Sequence, residues 1–312
     1  MKKLLFVEGI PGSGKSTFAR FLANQFERNG YTCNIFFETT YNHPIIFSKS
    51  FDNYNMFIES YIGRWKAFLL NQCESDVVVM ESALFQSPIV HLLHKDVDRD
   101  IIQSLIVNVS KIFKEVEECK LIYFYQDDAV TAIQKMIEIR GKEEFLLRKH
   151  NEYKHEKYFI NRIEQGPESH ITFFLDYAAL ANKIVNEVSI ETIIIENSTR
   201  NYPLYEQQLM NEFDLRYIPD PDVEISVLKD YAGMYHNQDL NFSLNVELKD
   251  NHLFIFGDKK LKPKSSSQFY LDDMSVMANF VNEDNKVNRV VITEKDLFAN
   301  RSDNGTAFVR VS

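Results

Sequence analysis

The sequence predicts an α/β domain built on a parallel sheet flanked by helices, followed by a small antiparallel β domain. Three observations predict it. Apolar runs bounded by turn residues alternate with helix-period stretches over the first two thirds of the chain. A glycine-rich turn, GIPGSGKS, lies between the first apolar run and the first helical stretch. Near residue 224 the helical period gives way to strict alternation.

Taken in order, the predicted strands are KLLFVE (2–8 region), CNIFFE (33–38), DVVVME (76–81), LIYFYQ (121–126) and ETIIIE (191–196). Between the first two, STFARFLANQFERNG puts Phe18, Phe21, Leu22 and Phe26 on one helical face and ends at Gly30, a C-cap residue. Helices are predicted over FDNYNMFIESYIGRWKAFLL, RDIIQSLIVNVSKIFKEVEE, AVTAIQKMIEIR, ITFFLDYAALANKIVNEV and YPLYEQQLMNEF. The two prolines and several acids of RYIPDPDVE then read as a linker, 216–223. Beyond it, FSLNVEL, HLFIF, SVMANFV, VNRVVIT and TAFVRV, separated by KDN, NEDNK and SDNG turns, predict an antiparallel sheet or small barrel over 224–312. The domains so drawn are 1–215 and 224–312.

With 312 residues, 45% hydrophobic and 26% charged, the chain has the composition of a globular protein rather than a disordered or membrane one. A net charge of −10 argues against a protein that coats nucleic acid, which needs many Lys and Arg to neutralise phosphates. The apolar start MKKLLFV is cut short by Glu8 and the glycine-rich turn, so no secretory leader is expected and the compartment implied is the cytosol. Cys33, Cys73 and Cys119 form no close pair, which excludes a CxxC redox centre and leaves them as buried thiols.

From Gly9 to Ser16 the chain matches G-x-x-x-x-G-K-S in the strand-to-helix context that this phosphate-binding loop requires. Gly9, Gly12 and Gly14 let backbone N–H groups turn inward, and with Ser13 they form a cradle closed by a helix N-terminus. Lys15 is expected to reach the β- and γ-phosphates of ATP, Ser16 to give its hydroxyl to Mg²⁺, and Thr17 to assist near the α-phosphate. The loop fixes nucleotide and magnesium binding but names no acceptor.

Ligands of open parallel sheets gather at the carboxyl ends of the strands, and two predicted strands end there in Glu38 and Glu81. Either carboxylate can hold Mg²⁺ or take the proton of an attacking hydroxyl; Glu38 can equally be the first solvated residue after a strand, whereas Glu81, followed by Ser82 and the polar Gln86, is read as functional. Glu8, just before the loop, is read as a brace of that turn. Asn197 in ENST is a candidate contact to the nucleotide base. Arg140, Lys142, Arg148 and Lys149 lie in a segment dense in both charges, which reads mostly as a solvated helix laced with ion pairs; Arg140, before Gly141, stands out as a cation able to fold over phosphates. Tyr41, His43, Tyr54, Tyr61, Arg64 and Trp65 are candidates to line an acceptor pocket, with His43 and Arg64 preferred and Trp65 and Phe68 read as core.

The succession VEGIPGSGKST, FFE, VVVMESALFQSP and IEIRGKEEFLLRKHNEYKHEKYF resembles the deoxynucleoside kinase and thymidylate kinase group of P-loop kinases over roughly residues 1 to 215. The resemblance implies a P-loop NTPase fold with a five-stranded parallel sheet. It makes Glu38 the acceptor-side base, Glu81 the magnesium-side carboxylate, and Arg140 with Lys142 the cations of a lid. Two positions depart from that group: Ser82 follows Glu81 where an arginine is expected, and ETTYNHP replaces the usual Glu-Pro. The last part of the chain is faintly similar to the β-rich domain appended to serine β-lactamase-like hydrolases and is read as a packing, dimerisation or pocket-completing module.

The leading expectation is a kinase transferring the γ-phosphoryl group of ATP to a small molecule, whether nucleoside, nucleotide or natural product. The alternative is a nucleotide-dependent regulatory ATPase whose β domain binds a partner protein; a macromolecular acceptor is a third. No strand ends in the DxxG or Asn-Lys-x-Asp signals of a GTPase switch.

Overall fold

A computed structural model describes residues 1–49, 51–71, 74–271, 275–283, 286–294 and 305–311. Cys73 and parts of the NEDNK and SDNG turns lie outside these residues. The chain divides into two units, one of Met1–Glu38 with His43–Leu215, the other of Thr39–Asn42 with Arg216–Ser312.

The first unit runs β1 (Lys3–Gly9), α1 (Lys15–Arg28), β2 (Cys33–Phe36), α2 (Tyr54–Leu70), β3 (Val77–Glu81), α3 (Gln86–His94), α4 (Arg99–Ser110), a 3₁₀ turn (Lys111–Glu115), β4 (Glu118–Tyr125), α5 (Ala129–Ile139), α6 (Lys142–Tyr153), α7 (Lys157–Ile160), α8 (Ser169–Ile184), β5 (Glu191–Glu196) and α9 (Tyr202–Glu212). Its sheet is five-stranded and parallel, ordered β2-β3-β1-β4-β5. Right-handed crossovers explain the layers. The chain moves one way across the sheet only from β1 to β2, so α1 lies on one face, while the helices of the β2→β3, β3→β4 and β4→β5 connections lie on the other.

The two cores follow this division. Leu5, Val7, Val77, Val79, Ile122 and Phe124 pack with Phe18, Leu22 and Phe26 of α1 and Tyr205 and Leu209 of α9. The alternate strand residues Leu4, Phe6, Val78, Met80, Leu121 and Tyr123 pack with Trp65, Ile89, Ile106, Ile133 and Tyr177. Covering both faces is why these strands read as unbroken apolar runs.

Helix α1 ends in a Schellman arrangement. Gly30, at φ 90°, donates its N–H to Glu27 O (3.0 Å), and Tyr31 N–H donates to Phe26 O (3.1 Å). The Phe26 and Tyr31 rings meet at 5.6 Å, the hydrophobic contact that accompanies this cap.

Three boundaries differ from the sequence expectation. Strand β2 ends at Phe36, so Glu38 lies two residues past it. QSPIVHLLH, assigned to no helix from the sequence, forms α3, and α4 stops at Ser110. The residues ECK then open β4, because pairing with β1 extends the strand to the register Lys3↔Glu118, where the two side chains form an ion pair.

The second unit contains α10 (Ile225–Tyr231), β6 (Gly233–Asn237), β7 (Phe242–Lys249), β8 (His252–Ile255), β9 (Lys259–Pro263), β10 (Gln268–Tyr270), β11 (Met277–Glu283), β12 (Lys286–Thr293) and β13 (Thr306–Arg310). The strands close into an antiparallel barrel, β10-β11-β12-β13-β6-β7-β8-β9. Eight strands enclose just enough room for side chains, and Leu244, Leu253, Phe269, Phe280, Val290 and Phe308 fill it. Residues 225–231, where alternation was expected, form a short helix instead. Its Leu228 and Tyr231, three apart, join the barrel core, with Tyr231 stacked on Phe280 at 4.2 Å.

Candidate active site

The phosphate-loop residues occupy the turn from β1 into α1. Gly9 must be glycine: its φ is 152°, and a Cβ there would lie 2.3 Å from Phe124 O and 2.8 Å from Ser13 Oγ. Gly12 and Gly14 complete the turn, Gly14 standing at the N-cap of α1. Lys15, 6% exposed, folds back to donate from Nζ to Gly9 O (3.0 Å) and Ile10 O (3.1 Å). Burial lowers its pKa, while the charges of Glu81, Glu38 and Glu8 raise it. Ser13 is buried; its carbonyl accepts from Asn197 Nδ2, and its Oγ has no hydrogen-bond partner. Thr17, partly buried, follows Ser16 in the first turn of α1.

Glu81 ends β3, next to β1, and is the centre of the polar network. Its Oε1 accepts from Ser82 Oγ (2.9 Å) and lies 3.4 Å from Ser16 Oγ. Its Oε2 accepts the N–H of Glu38 at 2.9 Å. Burial and the neighbouring Glu38 charge raise its pKa, against the pull of Lys15. The Ser82 hydroxyl reaches back because that residue adopts φ 62°, a left-handed conformation rare outside glycine. The Glu38 side chain is held separately: Gln86 Nε2 donates to its Oε2 at 2.7 Å.

Glu8 is fully buried and braces the neighbouring β3–α3 connection rather than the turn that follows it. Its Oε1 accepts from the N–H groups of Leu84 (2.7 Å) and Phe85 (3.0 Å), and its Oε2 from that of Gln86 (3.2 Å). Burial outweighs these bonds and pushes its pKa up to about 7.

Arg140 caps the C-terminus of α5, and its guanidinium lies 5.3 Å from the Phe145 ring, with that of Arg148 5.6 Å from the same ring. Arg140 is an electrostatic neighbour of both Lys15 and Glu38. Lys142 is exposed and lies 3.9 Å from Glu168. His43 and Arg64 meet at one turn: His43 Nδ1 accepts from the N–H groups of Ile45 (3.0 Å) and Ile46 (2.9 Å), and Arg64 donates to both carbonyls (3.2 and 2.7 Å) while stacking on Phe47. Trp65 is core, at 0% exposure, and Phe68 packs against it.

The structure thus gathers Lys15, Ser16, Glu38, Glu81 and Arg140 into one electrostatic neighbourhood, whereas Lys142, His43 and Arg64 are engaged elsewhere. Asn197 is spent on the phosphate loop, with its backbone held to Tyr125 O and its carbonyl to Gln126 Nε2. Tyr177, from α8, donates to Gly9 O at 3.1 Å. No local signal marks Tyr177 or Gln126, because Tyr177 reaches the loop from a distant element and Gln126 acts on it only through Asn197. Glu8 does carry one: a carboxylate inside an apolar strand. Cys33 and Cys119 are half-buried rather than core, and burial pushes the Cys119 thiol up to about 12.

Strand order, parallel pairing and a glycine-rich loop between β1 and α1 define a P-loop NTPase-type α/β fold, joined in this chain to a separate antiparallel barrel. No protein-family model matches the chain, and no curated protein is similar to it in sequence. Among solved structures, it is distantly similar to YorR of Bacillus subtilis, in complex with phosphorylated GDP (TM-score 0.38, 13% identity, 68% of this chain and 95% of that one). A similar distance separates it from polyphosphate kinase 2 of Arthrobacter aurescens TC1 (TM-score 0.40, 11% identity, 74% and 75%). No helix among the described residues is long and apolar enough to cross a membrane.

Proposed function

We propose that the first unit is an ATP- and Mg²⁺-dependent kinase acting on a small-molecule acceptor: a nucleoside, a nucleotide or a natural product. One observation carries this reading. The Glu81 carboxylate touches the Glu38 backbone and lies beside Ser16, so donor-side and acceptor-side groups are parts of one network. A simple phosphate-binding turn needs no such link between strands. The resemblance to the deoxynucleoside and thymidylate kinase group agrees with this assignment.

The residues present fit a magnesium ion. Ser16 Oγ and Glu81 Oε1 are two hard oxygen donors side by side, and Mg²⁺ in such sites takes few protein ligands, the rest being phosphates and water. Bound there, the ion would neutralise charge on the β- and γ-phosphates. Lys15 leaves its two carbonyl partners for the phosphates, the loop amides hold their oxygens, and Arg140 offsets charge on the transferring group. Residues 224–312 are proposed as a packing, dimerisation or pocket-completing module, and the cytosol as the compartment.

Acceptor-dependent release of ADP, screened over nucleosides, nucleotides and polyhydroxylated natural products, tests the reading. Activity with one class is expected; ADP release unchanged by every acceptor would remove it in favour of a regulatory ATPase. Lys15→Ala should abolish whatever turnover is found.

A further inference from the structure

We propose that Gln86 is a positioning residue that aims Glu38 as a proton acceptor, and that the group phosphorylated is therefore a hydroxyl rather than a phosphate. This rests on the kinase reading above and narrows its acceptor.

Glu38 is fixed twice. Glu81 Oε2 holds its backbone N–H at 2.9 Å, and Gln86 Nε2 holds its carboxylate at 2.7 Å. Gln86 is itself anchored, since its N–H donates to the buried Glu8. A flexible carboxylate beyond a strand end is thus tied to β1 through two side chains and a main-chain amide. The tie is uncharged: an amide N–H orients one carboxylate oxygen and leaves the other available, and among the described residues no cation lies within ion-pair distance of Glu38. The other end of the amide, Gln86 Oε1, is buried without a hydrogen-bond partner. Leaving a buried carbonyl unpaired is unfavourable, so the amide orientation is maintained against a local penalty.

The acceptor class follows from charge. A hydroxyl must lose its proton as it attacks, and a general base contributes roughly 10²–10⁴-fold to such a step. A phosphate monoester is mostly dianionic at neutral pH and attacks through an oxygen that carries no proton, so it needs no such base. It would instead bring negative charge against the Glu38 carboxylate, whose side-chain hydrogen-bond partner among the described residues is an uncharged amide. Lys15 and Arg140 are already needed by the group being transferred. In the step inferred here, the acceptor hydroxyl gives its proton to Glu38 and its oxygen bonds to the γ-phosphorus. The bond from that phosphorus to the β,γ-bridging oxygen breaks, and its electron pair leaves with ADP.

The test uses the full chain with ATP and Mg²⁺ and two acceptor panels. One panel holds nucleosides and polyols, the other nucleoside monophosphates, sugar phosphates and inorganic polyphosphate. Turnover confined to hydroxyl groups is expected. Transfer onto phosphate groups would overturn the inference while leaving the kinase reading intact; turnover with neither panel would remove both. With the working acceptor, Gln86→Ala should lower kcat roughly 10–100-fold with KM for ATP within about twofold, the scale of loss when a reacting group is slightly misplaced. Gln86→Glu keeps the shape but sets two carboxylates in contact, so the acid limb of the kcat profile should move to higher pH. A Gln86→Ala kcat equal to the parent's, or an acid limb unmoved in Gln86→Glu, would show that the contact is structural only.

Discussion

Lys15, Glu8 and Glu81 show how differently one buried neighbourhood treats its charges. Lys15 has three carboxylates near it and donates to two carbonyls, so it is already partnered before nucleotide binds. Lys15→Ala should therefore cut nucleotide affinity and stability together; isothermal titration with ADP beside a urea melt would check both, and undiminished affinity would contradict its placement. Glu8 makes a sharper prediction. Its pKa is about 7 in the folded chain against an unfolded value near 4.5, so between these values the folded state retains a proton that the unfolded state has lost. Its contribution is thus present below about pH 4.5 and is lost as the pH rises through about 7, on the order of 3 kcal/mol in all. Glu8→Gln, which cannot ionise, should gain stability relative to the parent from pH 5 to pH 8 in urea denaturation; a difference constant over that range would contradict it.

At the scale of elements, the loop and the cap of α1 were legible because both are local. The glycine spacing, the strand before it and the amphipathic helix after it are consecutive in the chain, and Gly30 follows the last helical turn directly. The added β4 residues and the missed α3 were not legible, since pairing with β1 and packing on α8 decide them. Two substitutions separate conformational strain from steric conflict. A Cβ on Gly30 meets nothing within 4 Å, so Gly30→Ala should lose only the positive-φ penalty, roughly 1–2 kcal/mol. Gly9→Ala adds a clash with the Phe124 carbonyl, which belongs to the adjacent strand and cannot swing aside, and should lose more. Equal denaturation midpoints for the two variants would refute this ordering.

At the scale of the whole molecule, acid stability is set by opposing groups. His43 and His94 are buried, which drives the pKa of each to about 3. Protons bind the unfolded chain from about pH 6.5 downward, so the stability that each contributes is full above 6.5 and is lost as the pH falls towards 3. Two such histidines lose about 3 kcal/mol per pH unit, against about 1.4 gained from Glu8. The urea midpoint should therefore be lower at pH 5 than at pH 7; an equal or higher midpoint at pH 5 would contradict the balance. His94→Phe should weaken the dependence, since His94 stacks between Tyr153 (4.4 Å) and Phe173 (4.6 Å), where a phenyl ring can sit without titrating. By itself the sequence determined the parallel α/β unit, its phosphate loop and the change to an antiparallel β unit, because hydrophobic period and glycine spacing are properties of neighbouring residues. Only the tertiary structure decided that two residues of a short helix join the barrel core, that His43 and Arg64 serve one turn, and that Glu8, Gln86, Glu38 and Glu81 are linked. The last of these depends on strand order and on hydrogen bonds spanning 43 to 78 residues, and no local pattern encodes such distances.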